Sequence, residues 1–358
     1  MIGLNIPFTG LKKQYNNLRT EILDVTDEVL RSGNLMAGNY TAEFENWLAK
    51  RNHVKYAATV HSGTDALEVI AEYYATQTYM PRPPRALIPA MTYVATANAF
   101  VRAGWTITVV DTDYYGLMDH RKIDHEQSFQ SIVAVGLYGA AVNRHEYLNN
   151  KSIVIEDGAQ HWLANDSHRI GNSCAISFDP MKNLNSYGNG GAVVTDDINL
   201  LEFVREWRNN GKPHHQETGT NSRMSEIDCA QMMIKTQHLD AWQKRRATIS
   251  KYWMDRLKGT AIRSLIDNNN HATHAHHKFV IEVSNRDILQ RNLDLRKIET
   301  RIHYKEPLHE LPAYSKYPGP DMLSAASSLS RRVLSLPLYP ELSDLEVDYI
   351  IDSLLDCV

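Results

Sequence analysis

Ser177-Phe178-Asp179-Pro180-Met181-Lys182-Asn183-Leu184 leaves the apolar run from Cys174 to Phe178 and leads to Gly188-Asn189-Gly190-Gly191, which opens a second apolar run, Ala192-Val193-Val194-Thr195. Two short apolar runs separated by proline, asparagine and glycine spell strand, tight crossing, strand. Pro180 has no backbone N–H and a fixed φ, and the glycines tolerate positive φ or close backbone approach. Lys182 therefore sits on a constrained loop between buried strands. Two readings of that lysine compete. Desolvation lowers an ammonium's pKa and turns it into a nucleophile that forms a Schiff base with an aldehyde. Alternatively, the side chain snorkels out of a strand end.

Upstream, Ile153-Val154-Ile155-Glu156-Asp157-Gly158-Ala159-Gln160 puts an acid pair at the end of another apolar strand. Asp157 there is suited to keep a pyridine nitrogen protonated, the arrangement that lets pyridoxal phosphate act as an electron sink; an ordinary strand-end carboxylate is the plainer alternative. Further upstream, Val60-His61-Ser62-Gly63-Thr64-Asp65-Ala66-Leu67 is a strand end, a small-residue turn and a helix start. Such a helix end offers free N–H groups and a positive dipole end to a phosphate, although a plain helix cap has the same signature. A phosphate cradle, a carboxylate and a lysine at the ends of separate strands make one coherent cofactor site, where open α/β sheets collect ligands.

Strand-like runs recur at Tyr56 to Val60, Ala86 to Pro89, Thr106 to Val110, Ile132 to Leu137, Ser152 to Ile155, Cys174 to Phe178 and Gly191 to Thr195. Helical patterns such as Thr64 to Ala75 and Val94 to Ala103 lie between them. Seven strands with interleaved helices predict a largely parallel α/β sheet covered on both faces. A nicotinamide-binding sheet would show Gly-x-Gly-x-x-Gly on its first strand-to-helix turn, and Ser62-Gly63-Thr64 lacks it. Before the sheet, apolar spacing predicts helices from Leu11 to Leu30 and from Thr41 to Lys50. After it come a helix from Leu200 to Arg208, a polar loop from Asn209 to Asn221 and a helical tract from Ser225 to Leu257 broken near Leu239. A polar loop from Asp267 to His271, a strand from Lys278 to Val283, a helix from Arg286 to Leu295, a short strand at Arg301-Ile302-His303 and a helix from Ser343 to Leu355 predict a smaller C-terminal α+β domain. The expected division is residues 1–240 for the large α/β domain with its N-terminal helical segment, and 241–358 for the small one.

At 358 residues with a net charge of -4, the chain has core enough for two structural units and no basic excess favouring nucleic acid. Cys174, Cys229 and Cys357 form neither a disulfide framework nor a C-x-x-C pair, and adjacent His214 and His215 lack helical metal-ligand spacing, so no metal is expected. No signal pattern or membrane-length apolar run is visible, and a cytoplasmic protein without membrane contact is the expectation.

Five motifs then stand in order: Ser62-Gly63-Thr64-Asp65-Ala66-Leu67, Glu156-Asp157-Gly158-Ala159-Gln160, the Ser177 to Leu184 stretch, Gly188 to Thr195, and Asn221-Ser222-Arg223-Met224-Ser225-Glu226. In this order they resemble the StrS/DegT family of pyridoxal-phosphate-dependent nucleotide-sugar aminotransferases, from Ile6-Pro7-Phe8 to Leu336-Pro337-Leu338-Tyr339-Pro340. The resemblance implies the fold-type-I transferase fold and a set of roles. Lys182 would carry the Schiff base and shuttle the proton; some relatives that dehydrate sugars have histidine there, so lysine argues for amino transfer. Asp157 would pair with the pyridinium nitrogen and Gln160 with the ring hydroxyl oxygen. Gly63, Thr64, Asp65 and Ser177 would take the phosphate, and Asn221 would reach the phosphate of a neighbouring subunit, which implies a homodimer with shared sites. Tyr93 would lie against the pyridine face, with a core tyrosine as its rival. Tyr187, His303, Tyr304 and His309 resemble segments lining the nucleotide-sugar pocket, and one of His274, His276 and His277 is expected near the sugar. Gly158, His161, Trp162, Asn189 and Lys305 depart from the family pattern.

The implied reaction moves an amino group from L-glutamate through pyridoxamine phosphate to a keto-deoxysugar on a nucleoside diphosphate, with C3 slightly favoured over C4, in amino-sugar and polysaccharide biosynthesis. The alternatives are a sugar dehydratase or deoxygenase on the same scaffold and a non-catalytic cofactor-binding regulator.

Overall fold

The computed structural model describes residues 4–123, 128–143, 147, 152–164, 171–216, 218–266, 271, 273–317 and 323–357. The loop expected from Asp267 to His271 lies outside them except for His271.

Seven strands form one sheet: β1 (Tyr56–Val60), β2 (Arg85–Pro89), β3 (Thr106–Val110), β4 (Ser131–Val135), β5 (Ile153–Asp157), β6 (Ser173–Ser177) and β7 (Gly191–Thr195), in the order β1-β7-β6-β5-β4-β2-β3. β7 runs antiparallel to both β1 and β6, while β6, β5, β4, β2 and β3 pair in parallel. Side-chain alternation gives both faces apolar character. Ala175 and Val193 join one buried cluster with Leu67, Ile70 and Phe100, whereas Cys174, Ile176, Ala192 and Val194 join another with Phe44, Leu48 and Phe178.

Helices α1 (Leu11–Ser32) and α2 (Asn39–Arg51) precede the sheet, α3 (Gly63–Thr76) and α4 (Val94–Arg102) lie between its strands, and α5 (Ile198–Trp207) follows it. α6 (Glu226–Thr236) and α7 (Leu239–Arg256) replace the long tract expected from Ser225, broken where the sequence places the break. α2 has Gly38 at its N-cap and so no side-chain cap of its own. Glu226 of α6 substitutes for one, its buried carboxylate accepting from the amides of Gly38, Tyr40 and Thr41 at 2.9, 2.6 and 3.2 Å and from the Thr41 hydroxyl at 2.6 Å. Glu226→Ala is expected to lower stability by about 3 kcal/mol, because charge-assisted bonds to a helix end are lost together. A thermal midpoint matching the unsubstituted chain would refute this.

Beyond α7, β8 (Arg263–Ser264), β9 (Phe279–Glu282) and β10 (Val333–Leu336) form an antiparallel three-stranded sheet with β9 central. With α8 (Arg286–Leu295) and α10 (Asp344–Leu355), it encloses a core containing Trp253, Phe279, Leu334 and Ile350, while α9 (Ser324–Ser330) packs Leu329 into the large-sheet cluster. Ile6 is buried in the C-terminal core. It bridges Ile298, its amide donating to the Lys297 carbonyl at 2.8 Å, and the Phe8 amide donates to Glu299 Oε2 at 2.8 Å.

Two segments differ from the sequence expectation. The strand expected to reach Leu137 stops at Val135, because the Gly136 amide donates to His161 Nδ1 at 3.1 Å and Leu137–Gly139 curls into a 3-10 turn. The strand expected at Arg301-Ile302-His303 is a single bridge from Arg301 to Ser335, since the His303 carbonyl accepts from the Tyr138 hydroxyl instead of a neighbouring strand.

Candidate active site

The ends of β5 and β6, the start of β7 and the N-terminus of α3 meet at a cavity of about 460 Å³. Ser62 caps α3, its hydroxyl accepting from the Asp65 amide at 3.1 Å and its carbonyl from the Ala66 amide at 3.0 Å. The Gly63 and Thr64 amides remain at the open helix end, where the dipole is positive. Glycine is required here by close approach. A Cβ on Gly63 would stand 2.6 Å from Ser177 Cβ, and one on Gly191 would stand 2.3 Å from the Ser62 carbonyl oxygen. The concave end of α3 can therefore nest against β6 and β7, a shape and polarity suited to phosphate.

Asp157 ends β5 and is buried. Its Oδ2 accepts from the Thr96 hydroxyl at 2.7 Å and its Oδ1 from the Ala159 amide at 3.2 Å. The Thr96 hydroxyl lies 2.8 Å from that of Thr92, so a pair of threonines, one just before α4 and one in its first turn, positions the carboxylate. In the β6–β7 connection, the Asp179 side chain accepts from the Met181 amide at 2.9 Å and its carbonyl from the Lys182 amide at 2.8 Å. This Asx turn and Pro180 hold Lys182 at the cavity wall. Burial pushes the Lys182 ammonium below the ordinary lysine pKa, against the opposing pull of Asp157 and Asp179.

Gln160 joins two further elements. Its Oε1 accepts from the Tyr138 amide at 2.8 Å, and its Nε2 donates to the Tyr304 hydroxyl at 3.2 Å. The exposed Tyr93 ring stands 5.9 Å from that of Tyr304, and the His303 ring is 2.9 Å from the Ser335 hydroxyl. Burial lowers the His303 pKa strongly, and Lys278, Arg301 and Lys182 lower it further.

Of the residues expected at the site, Gly63, Thr64, Tyr93, Asp157, Gln160, Ser177, Lys182, His303 and Tyr304 line this cavity, as does Asn189. Four lie outside the lining. Asp65 accepts from the Ser222 hydroxyl at 2.6 Å, and His309 meets the Ser327 hydroxyl at 3.0 Å. Tyr187 lies beneath the Lys235 ammonium, 3.5 Å from the ring centre, and exposed Asn221 accepts from Arg223. Among the three candidate histidines only His277 reaches the lining, with its ring nitrogen 3.0 Å from Asn183 Oδ1.

The departures from the family pattern find local causes. A Cβ on Gly158 would meet Cys174 Sγ at 2.4 Å. His161 turns to the Gly136 amide and Trp162 to the core behind the sheet, so neither shapes the cavity; exposed Lys305 lies outside it too. Sequence reading assigned no role to Thr96, Tyr138 or Lys278. The Thr92/Thr96 spacing at a helix start was a usable signal for the first, whereas the other two reach the site only through tertiary contacts.

Comparison with known proteins gives a consistent result. The chain is 33% identical to the erythromycin biosynthesis sensory transduction protein EryC1 of Saccharopolyspora erythraea, over 98% of this chain and 99% of that protein. It is 32% identical to the dTDP-3-amino-3,4,6-trideoxy-alpha-D-glucose transaminase of Streptomyces venezuelae, over 97% and 95% of the two chains. The crystal structure of S. venezuelae DesV in complex with a ketimine intermediate superposes with a TM-score of 0.91 at 31% identity, covering 98% of each chain. Residues 16–355 match the model of the DegT/DnrJ/EryC1/StrS aminotransferase family, and the chain belongs to that family.

Proposed function

We propose that the chain is a pyridoxal-phosphate-dependent transaminase that takes an amino group from L-glutamate and delivers it to a keto-deoxysugar carried on a nucleoside diphosphate, with C3 favoured. The observation that carries this is the placement of Lys182 and Asp157 on one cavity with the open amides of α3. The favoured carbon is supported by the 3-amino product in the name of the S. venezuelae relative.

When bound, pyridoxal phosphate supplies an electron sink for the carbon that loses its proton. The protein's groups do the rest. The Gly63 and Thr64 amides and the Ser177 hydroxyl hold the phosphate, and Asp157 holds a proton at the ring nitrogen. Gln160, anchored by the Tyr138 amide, donates toward the ring hydroxyl oxygen, while Tyr93 and Tyr304 flank the space above. Lys182, favoured toward its neutral amine by burial, takes the donor's proton at Nζ and later returns one to the sugar carbon. A homodimer, with Asn221 reaching the partner's phosphate site, completes this arrangement; a fully active monodisperse monomer would overturn that part.

The test is the visible spectrum of the cofactor-loaded protein. L-Glutamate is expected to bleach it with stoichiometric release of 2-oxoglutarate, and a spectrum indifferent to glutamate would sink the donor assignment. A regulatory role, suggested by the name of the S. erythraea relative, leaves no task for a desolvated amine at Lys182. Stoichiometric release of 2-oxoglutarate would also exclude sugar deoxygenation.

A further inference from the structure

A second lysine stands in the same cavity. Lys278, immediately before β9, lines it beside Lys182 and His277, and also lines an adjoining pocket of about 40 Å³. It is only 6% exposed, yet its ammonium has no hydrogen-bond or ion-pair partner among the described residues. The Phe8 ring lies nearby, with its centre 5.5 Å from Nζ. The charges around it are mainly cationic. Lys182, Arg246 and Arg301 all add to burial in lowering its pKa, against the pull of Asp179.

Lys235 shows how this chain satisfies a structural lysine of similar burial. Its Nζ donates to the Asn185 carbonyl at 2.8 Å and sits 3.5 Å above the Tyr187 ring. Lys278 has neither a carbonyl nor a carboxylate. A buried ammonium left unpaired is costly, so its retention at a ligand cavity points to an anion that arrives with the substrate. Position decides which anion. Lys278 lies deep, next to the amine through which nitrogen must pass, so its partner is attached close to the transferred nitrogen. An amino acid carries a carboxylate one carbon from its nitrogen, whereas the diphosphate of a sugar nucleotide lies across the sugar ring from C3.

We propose that Lys278 binds the carboxylate of the amino-acid donor, the one next to the nitrogen that is transferred. The inference rests on the transaminase reading above. The donor's carboxylate exchanges water for a charge-assisted bond to Nζ, and it offsets the positive charge that Arg246 and Arg301 place around Lys278.

The test uses the cofactor-loaded protein and its Lys278→Met variant, which keeps the length of the side chain and removes the charge. Calorimetry with glutarate, a dicarboxylate without an amine, is expected to show affinity at least about 10-fold weaker in the variant, the loss of one charge-assisted bond. The L-glutamate concentration that half-saturates spectral bleaching should rise by the same factor, and affinity for thymidine and uridine diphosphates should stay unchanged. The thermal midpoint should rise by about 1 °C or more, because a buried amine without a partner has been replaced by an apolar group. If the methionine variant does not fold, Lys278→Gln carries the same measurements. Unaltered glutarate affinity overturns the proposal, as does a loss confined to nucleoside diphosphates or to a sugar nucleotide bearing a uronate carboxylate. An unsubstituted protein whose spectrum ignores L-glutamate would defeat the transaminase reading, while glutarate calorimetry would still decide whether Lys278 holds a carboxylate.

Discussion

Lys182→Ala is expected to reduce turnover by on the order of 10⁴-fold or more while leaving a folded protein that still takes up pyridoxal phosphate. The phosphate cradle at α3 and β6 contains no atom of the Lys182 side chain, and Asp157 keeps its donors Thr96 and Ala159 in the variant. What disappears is the amine at the cavity wall whose pKa burial lowers against the pull of both Asp157 and Asp179. Both the nucleophile and the proton carrier are then absent, so the loss should appear in kcat and in a single-turnover bleach with L-glutamate alike. Adding a small primary amine should restore part of the proton transfer, a response that a misfolded variant would not give. Near-normal turnover would show that Lys182 is not the reactive group.

The second large effect concerns Asp157. Asp157→Asn retains size and most hydrogen-bonding capacity but removes the negative charge at the end of β5. The Ala159 amide still finds Oδ1, and the Thr96 hydroxyl can turn to accept from the new Nδ2 while donating to the Thr92 hydroxyl, so the fold should survive with little change in thermal midpoint. Without the carboxylate, the cofactor's ring nitrogen loses the partner that holds its proton, and kcat is expected to fall on the order of 10²–10³-fold, comparable to removing a preorganised electrostatic group in other active sites. The half-saturating L-glutamate concentration should move far less. Because Thr96 acts only through Asp157, Thr96→Val should produce a smaller loss of the same kind. An Asp157→Asn enzyme within a few-fold of the parent would remove Asp157 from the mechanism.

The elements nearest these two residues were legible in the sequence for physical reasons. The run Ser177 to Thr195 carries its own punctuation, since Pro180 and the glycines mark a crossing, and β6 and β7 appear where the apolar runs place them. Ser62 before Gly63 announces a capped helix, which α3 is. The break in the tract after Ser225 was legible too. Contacts that depend on distant chain were not. Apolar residues around Gly136 read as continued strand, yet His161 takes the amide and ends it. Ile302 read as strand because nothing local reveals that Tyr138 captures the neighbouring carbonyl. Lys278 looked like the polar start of a strand, and only the folded cavity reveals an unpaired cation beside Lys182.

The contacts of Ile6 and Phe8 with the segment from Lys297 to Glu299 also bear on how the chain matures. The bond between the Phe8 amide and Glu299 joins residues 291 apart. At a synthesis rate of about 5–20 residues per second, the first residues wait roughly 15–60 s for their partners to leave the ribosome. During that interval the Ile6 side chain, fully buried at the end, has no native shelter, and the C-terminal core lacks one of its members. The large sheet can close in the meantime, but the segment around Ile6 must stay free of wrong partners until Lys297 to Glu299 have emerged. A chaperone that holds short apolar segments would find its target at Ile6 for the whole of that interval.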